Sequence, residues 1–256
     1  MEPIVKKMNG YSDHISVEND TKGSLQSARI VVPILFEYLN PKPRRVVDFG
    51  CARGAWLKAC QENGVESIQG LDGPYLDRSK LVIDSTCFKS TDLSGPLEIE
   101  GEWDMAICVE VAEHLPQKVG PALVRALTRS APLVLFSAAV PGQTGRGHIN
   151  EQWPIYWKHL FEEHGFSRLD PVRRHIWQDN RVEWWYRQNI FLYVSESILA
   201  VSEPLRLELE AANRMPDEWV HVHLLSQYMS LRGILRKLPG VAWHALKRRI
   251  GSQQSQ

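Results

Sequence analysis

The sequence lacks the cysteine pattern, the charge excess and the long apolar runs that mark several classes of protein. Only four of its 256 residues are cysteines, and no two of them form a C-x-x-C pair. This scatter gives no support for a zinc motif or a disulfide framework, and it favours a reducing compartment. Basic and acidic residues are equal at 30 each, so charge gives no indication of a nucleic-acid partner.

The apolar runs are also short. The longest lie at 30–39 and 132–140, and neither is long enough to cross a bilayer. Residues 1–14 lack the apolar core of a signal peptide. We therefore expect a cytoplasmic protein with no nucleic-acid partner.

What the sequence does contain is a regular alternation of strand-like and helix-like segments. Strands are predicted at 45–49, 67–71, 81–83, 103–110 and 132–140, and helices at 24–39, 55–63 and 119–130. This order predicts an α/β fold in which helices cover both faces of a parallel sheet and ligands bind at the carboxyl ends of its strands. After a helix at 154–164, two segments are predicted to pair as antiparallel edge strands, 168–177 and 184–194.

The predicted division of the chain has three parts: a flexible N-terminal segment (1–23), an α/β domain (24–202) and a helical C-terminal extension (203–256). Ser24 is the expected N-cap of the first helix. The extension ends in a basic amphipathic stretch at 232–249. Such a stretch is usually a solvated surface helix; contact with an anionic membrane surface, cover of the active site and pairing with a second subunit are alternatives.

The stretch VVDFGCARGAW (46–56) joins the first predicted strand to the next helix through a turn with two glycines. Such turns let the backbone approach a ligand closely, and they also occur in dinucleotide-binding enzymes. Asp48 separates the two cases, because a carboxylate at this strand end attracts a cationic amine and repels a pyrophosphate. Asp72, at the end of the next strand, suits the ribose hydroxyls of a nucleoside ligand, with a role as a turn former as the alternative.

Four motifs in this order resemble the class I S-adenosylmethionine-dependent methyltransferases. They are VVDFGCARGAW, GLDG (70–73), STDL (90–93) and VEVAEHLP (109–116), and the resemblance covers about residues 24–195. It implies S-adenosylmethionine as the cofactor and a Rossmann-like, doubly wound sheet of seven strands, mostly parallel with the last strand antiparallel. Ala52 replaces the usual middle glycine of the turn; its methyl narrows the approach of the backbone, but we expect binding to survive.

The same resemblance implies which residues bind the cofactor. Those around its methionine part would be Asp48, Gly50, Ala52 and Gly54. Those around its ribose and adenine would be Asp72, Asp92 and Leu93. Glu110 would lie at the end of the fourth strand and face both cofactor and substrate.

A second block is similar to a bacterial methyltransferase subfamily that carries the pattern GHxNEQWPxYW. It consists of FSAAVPGQTGRGHINEQWPIYWKHLFEEHGF (136–166) and WYRQN (185–189). The resemblance implies an acceptor from the glycoside pathways with which many members are associated. Aromatic rings suit such an acceptor because sugar rings stack on them, although rings at helical spacing are expected to pack in the core. The predicted substrate contacts are Asn150, Trp153, Tyr156, Trp185 and Arg187.

Removal of the proton from an acceptor hydroxyl needs a base or a metal ion. His148 is the first candidate base, with Glu151 to orient its imidazole; the alternative is that they only hold a loop. His114 is the second candidate base, and the alternative is that it packs at the start of a helix. Glu110 would lie on the same helix face as His114 if both residues were helical. We interpret Glu113 as a solvated or capping residue. A divalent metal is conceivable from these residue types, but their spacing does not assemble a site, and no metal is assigned.

The sequence therefore predicts an O-methyltransferase that acts on a hydroxyl group of a sugar, glycoside or oligosaccharide. The predicted partner is accordingly a small-molecule or glycan substrate. Two alternatives stay open: a methyltransferase for a non-sugar metabolite, and a non-catalytic subunit that binds S-adenosylmethionine.

Overall fold

Strands and helices alternate along the chain. The computed structural model describes residues 14–229, apart from positions 98, 100 and 217. The strands are β1 (Arg45–Phe49), β2 (Ser67–Asp72), β3 (Phe88–Ser90), β4 (Met105–Val109), β5 (Leu133–Ser137), β6 (Phe166–Leu169) and β7 (Phe191–Ser195). The helices are α1 (His14–Glu37), α2 (Ala55–Glu62), α3 (Gly120–Ser130), α4 (Pro154–Glu162), α5 (Arg173–Ile176), α6 (Trp184–Asn189), α7 (Glu196–Val201), α8 (Glu203–Asn213) and α9 (Val222–Met229).

The seven strands form one sheet in the order β3-β2-β1-β4-β5-β7-β6. Strand β7 runs antiparallel to both β5 and β6, and the remaining pairs are parallel. This confirms the predicted seven-stranded, doubly wound α/β sheet with an antiparallel last strand. Since β1, β2, β4 and β5 run parallel, their carboxyl ends lie at one edge of the sheet, where open α/β sheets bind ligands.

The side chains of β1 alternate between the two layers of the core. Val46 packs with the layer that contains α1 and α2, whereas Val47 and Phe49 pack with the opposite layer around α3 and α4. Because successive side chains of a strand point to opposite faces, Asp48 lies on the same face as Val46. The carboxylate therefore projects from a central strand into the α1–α2 side of the molecule.

Part of the predicted aromatic set belongs to the core. Trp157 is buried, and its ring lies 5.2 Å from that of Phe136. Phe161 stacks on Tyr193 with ring centroids 3.7 Å apart. Trp157 and Phe161, which lie at helical spacing, therefore fill the space between α4 and the sheet as predicted.

Residues 81–83 do not form the predicted strand. Ile83 is buried and packs close to Gly54, so its apolar character reflects core packing rather than strand pairing. The Asp84 carboxylate then accepts a hydrogen bond from the backbone N–H of Thr86 at 2.8 Å and caps a short 3-10 helix. The strand of this region is β3, which follows that helix.

The two predicted edge strands are each part strand and part helix. In the segment 168–177, β6 ends at Leu169, and the Asp170 carboxylate accepts hydrogen bonds from the backbone and guanidinium of Arg173, which begins α5. In 184–194, α6 precedes β7, and Tyr186 packs its ring 5.2 Å from that of Trp56. A run rich in apolar residues does not by itself separate helix from strand, and tertiary packing decided both cases.

Helix α1 begins at His14 rather than at Ser24, and it continues through Pro33. The Ser24 hydroxyl shares a hydrogen bond of 2.9 Å with the hydroxyl of Tyr186, so this serine ties α1 to α6 and is not an N-cap. The basic stretch at 232–249 lies outside the described residues. Within the described part, no helix is both long and apolar enough to span a membrane.

Gly70 in β2 leaves room for the turn after β1. A Cβ atom at this position would lie 2.6 Å from Cys51 Sγ and 3.2 Å from Leu57 Cδ1. We predict that Gly70→Ala lowers the free energy of unfolding by about 1–3 kcal/mol through overpacking. Cys51→Ala removes the closer atom, so the double variant should lose less stability than the sum of the single variants.

Urea denaturation checks this prediction. Gly95→Ala is the matched control, because the nearest heavy atom to a Cβ there is 3.7 Å away, an ordinary contact. Equal unfolding midpoints for Gly70→Ala and the unsubstituted protein would contradict the packing described.

Candidate active site

The turn after β1 contains three residues with positive φ. These are Gly50 at 82°, Ala52 at 46° and Gly54 at 84°. A Cβ atom on Gly50 would lie 2.4 Å from a methyl of Val111, so both its φ and its surroundings require glycine. Ala52 is exposed, and its methyl therefore finds space in the turn. The sequence correctly placed the turn, and the alanine does not crowd its interior.

Asp48 is a buried carboxylate, and one of its two oxygens has no partner among the described residues. Its side chain is 2% exposed, and its Oδ2 atom has no hydrogen bond within the described part of the chain. Burial raises the pKa of Asp48 well above its ordinary value, and the negative charge of Asp72 adds to this. A cation bound here would therefore stabilise the ionised form of Asp48, which the surrounding protein stabilises poorly.

Asp72 ends β2 next to the turn, and its carboxylate is well supplied with donors. Its Oδ2 accepts from the backbone N–H of Ala52 at 2.8 Å, and its Oδ1 accepts from the N–H of Gly73 at 2.6 Å and from the hydroxyl of Tyr75. Burial raises the pKa of Asp72, and these hydrogen bonds oppose the rise. The Tyr75 hydroxyl thus makes to Asp72 the kind of hydrogen bond that a ribose hydroxyl is predicted to make.

The predicted adenine contacts follow β3. The backbone N–H of Thr91 donates to the carbonyl oxygen of Asp72 at 2.7 Å, which ties this segment to the end of β2. The Asp92 carboxylate accepts from the backbone and hydroxyl of Ser94, at 2.9 and 2.6 Å. The Leu93 side chain is buried in the core. The structure brings Asp92 and Leu93 to the edge that carries Asp72.

Glu110 follows β4 with a φ of 55°. Its Oε1 accepts from the Ser137 hydroxyl at 2.8 Å and from the Asn189 amide at 3.0 Å, and its Oε2 accepts from the Gln143 amide at 2.8 Å. Three donors therefore fix this carboxylate between β4, β5 and α6. Glu110 and His114 do not share a helix face, because only Ala112–His114 forms a helical turn, of the 3-10 type.

Glu113 differs from its predicted role. The sequence indicated a solvated or capping residue, but the side chain is 0% exposed, and neither carboxylate oxygen has a hydrogen-bond partner within the described residues. Burial raises the pKa of Glu113 well above its ordinary value, and the charge of Glu110 raises it further; the backbone N–H groups of Glu113 and Ala139 oppose the rise, although neither meets hydrogen-bond geometry. In the sequence, Glu113 stands directly before His114. This adjacency alone did not show that the Glu113 side chain is buried in the fold.

The loop after β5 places His148 next to the 3-10 helix at Ala112–His114. The backbone N–H groups of Ile149 and Asn150 both donate to the carbonyl oxygen of Glu113, at 2.9 and 3.1 Å. As a result, the rings of His148 and His114 lie 5.0 Å apart. The two candidate bases therefore form one cluster.

Each histidine of the cluster has a distinct environment. Burial lowers the pKa of His114 to about 4, with a contribution from nearby His148, so the His114 imidazole is neutral at neutral pH. His148 Nδ1 lies 3.0 Å from Oε1 of Glu151. Glu151 is in turn fixed by the backbone N–H groups of Gly142 and Thr144, each at 2.8 Å. The predicted role of Glu151 in orienting His148 agrees with this contact.

The five predicted substrate contacts have different surroundings. Asn150 is buried and donates to the carbonyl oxygen of Ala112 at 3.3 Å, so it holds the loop in place. Arg187 is also buried, and it donates to the carbonyl oxygen of Trp177.

The three aromatic candidates divide in the same way. Trp185 packs against the core, and Tyr156 is partly buried. Trp153 is 38% exposed at the start of α4. Trp153 is therefore the member of the predicted set with a ring most available to a ligand.

The chain belongs to the methyltransferase domain family. The sequence model of this family matches residues 26–178, which is more than half of the chain. The predicted class of enzyme is confirmed by this match.

Solved structures of methyltransferases show a distant likeness to the chain. The magnesium protoporphyrin IX methyltransferase of Synechocystis PCC 6803, with bound SAH, is 18% identical; the likeness covers 68% of this chain and 84% of that one, with a TM-score of 0.49. A SAM-dependent methyltransferase from Archaeoglobus fulgidus is 22% identical, with 61% and 75% covered and a TM-score of 0.48. Human N-acetylserotonin methyltransferase, in complex with SAM, is 16% identical, with 66% and 51% covered and a TM-score of 0.44. A search of curated protein sequences found no match.

Asp48→Asn tests whether Asp48 is an unpaired buried acid. Because its folded pKa is raised, Asp48 costs stability progressively as the pH rises from about 4 towards that folded value. The amide that replaces the carboxyl group carries no such charge. We predict that Asp48→Asn unfolds at a higher temperature than the unsubstituted protein at pH 8, and that the difference shrinks towards pH 5.

Asp72→Asn is the matched control for this measurement. Its amide cannot accept all the hydrogen bonds that the Asp72 carboxylate accepts, so it should unfold at a lower temperature at pH 8. Thermal unfolding followed by circular dichroism measures both variants. A lower midpoint for Asp48→Asn at pH 8 would show that Asp48 has a stabilising partner.

Proposed function

We propose that the chain is an S-adenosylmethionine-dependent O-methyltransferase that methylates a hydroxyl of a sugar or glycoside. The observation that carries the proposal is the buried Asp48 carboxylate, whose Oδ2 has no hydrogen-bond partner among the described residues and which adjoins a turn with three left-handed residues. Membership of the methyltransferase domain family supports the reaction class. The sugar acceptor rests on the sequence resemblance and on the exposed ring of Trp153.

The residues at the carboxyl ends of β1 and β2 fit the cofactor. The Asp48 carboxylate binds the α-ammonium group of the methionine part, because a cation relieves its unpaired burial. The turn at Gly50 lets the backbone approach closely, since no Cβ is tolerated there. Asp72 accepts from the ribose hydroxyls, one of which takes the place of the Tyr75 hydroxyl. Asp92 and Leu93 lie next along the same edge and receive the adenine.

The histidine cluster is the site at which the acceptor hydroxyl loses its proton. When bound, S-adenosylmethionine would supply an electrophilic sulfonium methyl group for the acceptor oxygen, and its sulfur would leave as a neutral thioether. Glu151 holds His148 by Nδ1, which leaves Nε2 to take part in proton removal. His114, with a pKa lowered to about 4, is a weaker base than an ordinary histidine and serves better as a neutral neighbour.

Residues near the cluster suit a sugar ring. Ile149 is 65% exposed beside His148, and Trp153 follows it at the start of α4. An exposed aromatic side chain that follows the cluster in the chain suits the C–H face of a sugar. Asn150 instead fixes the loop, and Arg187 is bonded elsewhere, so neither is assigned to the acceptor.

Isothermal titration calorimetry tests the cofactor assignment. We predict that the protein binds S-adenosylmethionine, and that Asp48→Asn binds it at least about tenfold more weakly, because an ion pair in a buried site is lost. NAD should not bind. Glu66→Gln, at the exposed ion pair with Arg44, is the matched control and should bind normally. Binding of NAD without binding of S-adenosylmethionine would overturn the proposal.

Methyl transfer to defined acceptors tests the substrate class. With tritiated S-adenosylmethionine, we expect label on monosaccharides or glycosides, and we expect Trp153→Ala to raise KM for them with little change in kcat, since its role is to bind the ring. Label only on non-sugar metabolites would refute the sugar assignment. Binding of the cofactor with no transfer to any acceptor in cell extracts would identify a non-catalytic subunit.

A further inference from the structure

Three side chains of metal-binding type converge beside the carboxyl ends of β4 and β5. Glu113, His114 and His148 each offer a ligand atom, and these three atoms all lie within 4.8 Å of one another. Glu113 and His114 come from the 3-10 helix after β4, whereas His148 comes from the loop after β5. The fold thus assembles the set from two separate segments of the sequence.

Glu113 is the member of the set that points to a bound cation. It is completely buried, and both of its carboxylate oxygens lack hydrogen-bond partners among the residues that the structure describes. The nearby donors of Ser137, Gln143 and Asn189 are directed at Glu110 instead. An ionised carboxylate in such a position is costly unless a cation pairs with it.

The imidazole of His148 is oriented in the way that is usual for a metal-binding histidine. One of its ring nitrogens, Nδ1, lies 3.0 Å from the Glu151 carboxylate, and Glu151 is fixed by two backbone N–H groups. Metal-binding histidines usually donate their second ring N–H to a carboxylate or carbonyl, which fixes the tautomer and the ring orientation. Nε2 of His148, which lies beside Gly145, is then the nitrogen that would form a ligand bond.

We propose that Glu113, His114 and His148 bind a divalent transition-metal ion, and that Glu151 positions His148. Two imidazoles and one carboxylate suit Zn²⁺, Mn²⁺, Co²⁺ or Fe²⁺ better than Mg²⁺ or Ca²⁺, which prefer oxygen ligands. Three protein ligands leave coordination positions open, and the His148 side chain is 12% exposed, so an acceptor hydroxyl can reach the ion.

The ion has a direct use in the proposed reaction. A hydroxyl bound to a divalent ion has a lowered pKa and passes its proton to water more readily. His148 is then a ligand of the ion rather than the base itself. This catalytic use rests on the proposed function, whereas binding of the ion does not.

A second histidine pair provides an internal control. His221 and His223 stack with ring centroids 5.1 Å apart, and His221 Nε2 lies 3.0 Å from the carbonyl oxygen of Trp177. Within the described residues this pair has no third ligand of the required type. His223→Ala therefore removes an alternative place for adventitious binding without altering the proposed site.

Cobalt titration of the untagged full-length protein, stripped of metal by a chelator, tests the proposal. We expect one equivalent of Co²⁺ to bind with the visible absorption of a protein-bound ion, and Zn²⁺ to displace it. Glu113→Gln, His114→Ala and His148→Ala should each weaken binding by more than about tenfold, and Glu151→Gln by about 10–100-fold. His159→Ala, on the exposed face of α4, and His223→Ala should bind as the unsubstituted protein does.

Thermal unfolding separates loss of the site from loss of the fold. In metal-free protein, Glu113→Gln should unfold at the same or a higher temperature, because it removes an unpaired buried carboxylate. At a Zn²⁺ concentration that just saturates the unsubstituted protein, its midpoint should rise, and that of Glu113→Gln should rise clearly less.

The possible results test the metal site and the proposed function separately. Absence of saturable Co²⁺ binding, equal binding by Glu113→Gln, loss of binding in His223→Ala alone, or displacement of Co²⁺ by Mg²⁺ as readily as by Zn²⁺ would overturn the metal assignment. Full methyl transfer by chelator-treated protein would remove the catalytic use of the ion. Binding of Co²⁺ without binding of S-adenosylmethionine would refute the proposed function and leave the metal site intact.

Discussion

The candidate site depends on the buried carboxylate of Asp48, which has no cationic partner among the described residues. Asp48 lies on a central strand, and its pKa is raised because burial disfavours the charged form. Leaving a buried charge unpaired typically costs about 3–5 kcal/mol. A cationic ligand would recover part of that cost on binding, and this is the basis on which we propose an ammonium group rather than a phosphate at this position.

The same sheet edge gathers further acids. Asp72, Glu110 and Glu113 lie at or after the ends of β2 and β4, although the whole chain carries equal numbers of acidic and basic residues. Asp72 and Glu110 are each satisfied by several hydrogen-bond donors. Asp48 and Glu113 retain buried oxygens without partners in the described part of the chain. The two unsatisfied acids mark the two places proposed for positive charge, one for the ammonium group of the cofactor and one for a metal ion.

Much of the cofactor side of the site follows from local sequence. Strand β1, the glycine turn and helix α2 are contiguous, so their geometry depends on neighbours in the chain and was predicted from the motif around Asp48. The sheet and its antiparallel last strand were predicted from the order of elements and from the family resemblance. The exposed position of Ala52 could not be predicted, because it depends on how the turn faces solvent.

The acceptor side depends on contacts between distant segments, and sequence reasoning was correspondingly weaker there. Glu113 is buried because the loop after β5 is hydrogen-bonded over its 3-10 helix, and nothing in the local sequence around Glu113 reports that loop. Helix α6 replaced the first part of the predicted strand at 184–194 because Tyr186 packs on Trp56 and bonds to Ser24 in α1. His114 and His148 were each predicted as candidate bases, but their proximity is a product of the fold.

The central claim is that the Asp48 carboxylate pairs with a cationic group of the cofactor. Carbon-13 NMR of the aspartate carboxyl carbons, with the Asp48 signal assigned by its loss in Asp48→Asn, measures the pKa of this residue directly. The account predicts a pKa well above the ordinary range in the free protein and a marked fall when S-adenosylmethionine saturates the site. An ordinary pKa in the free protein, or a titration that the cofactor leaves unchanged, would contradict it.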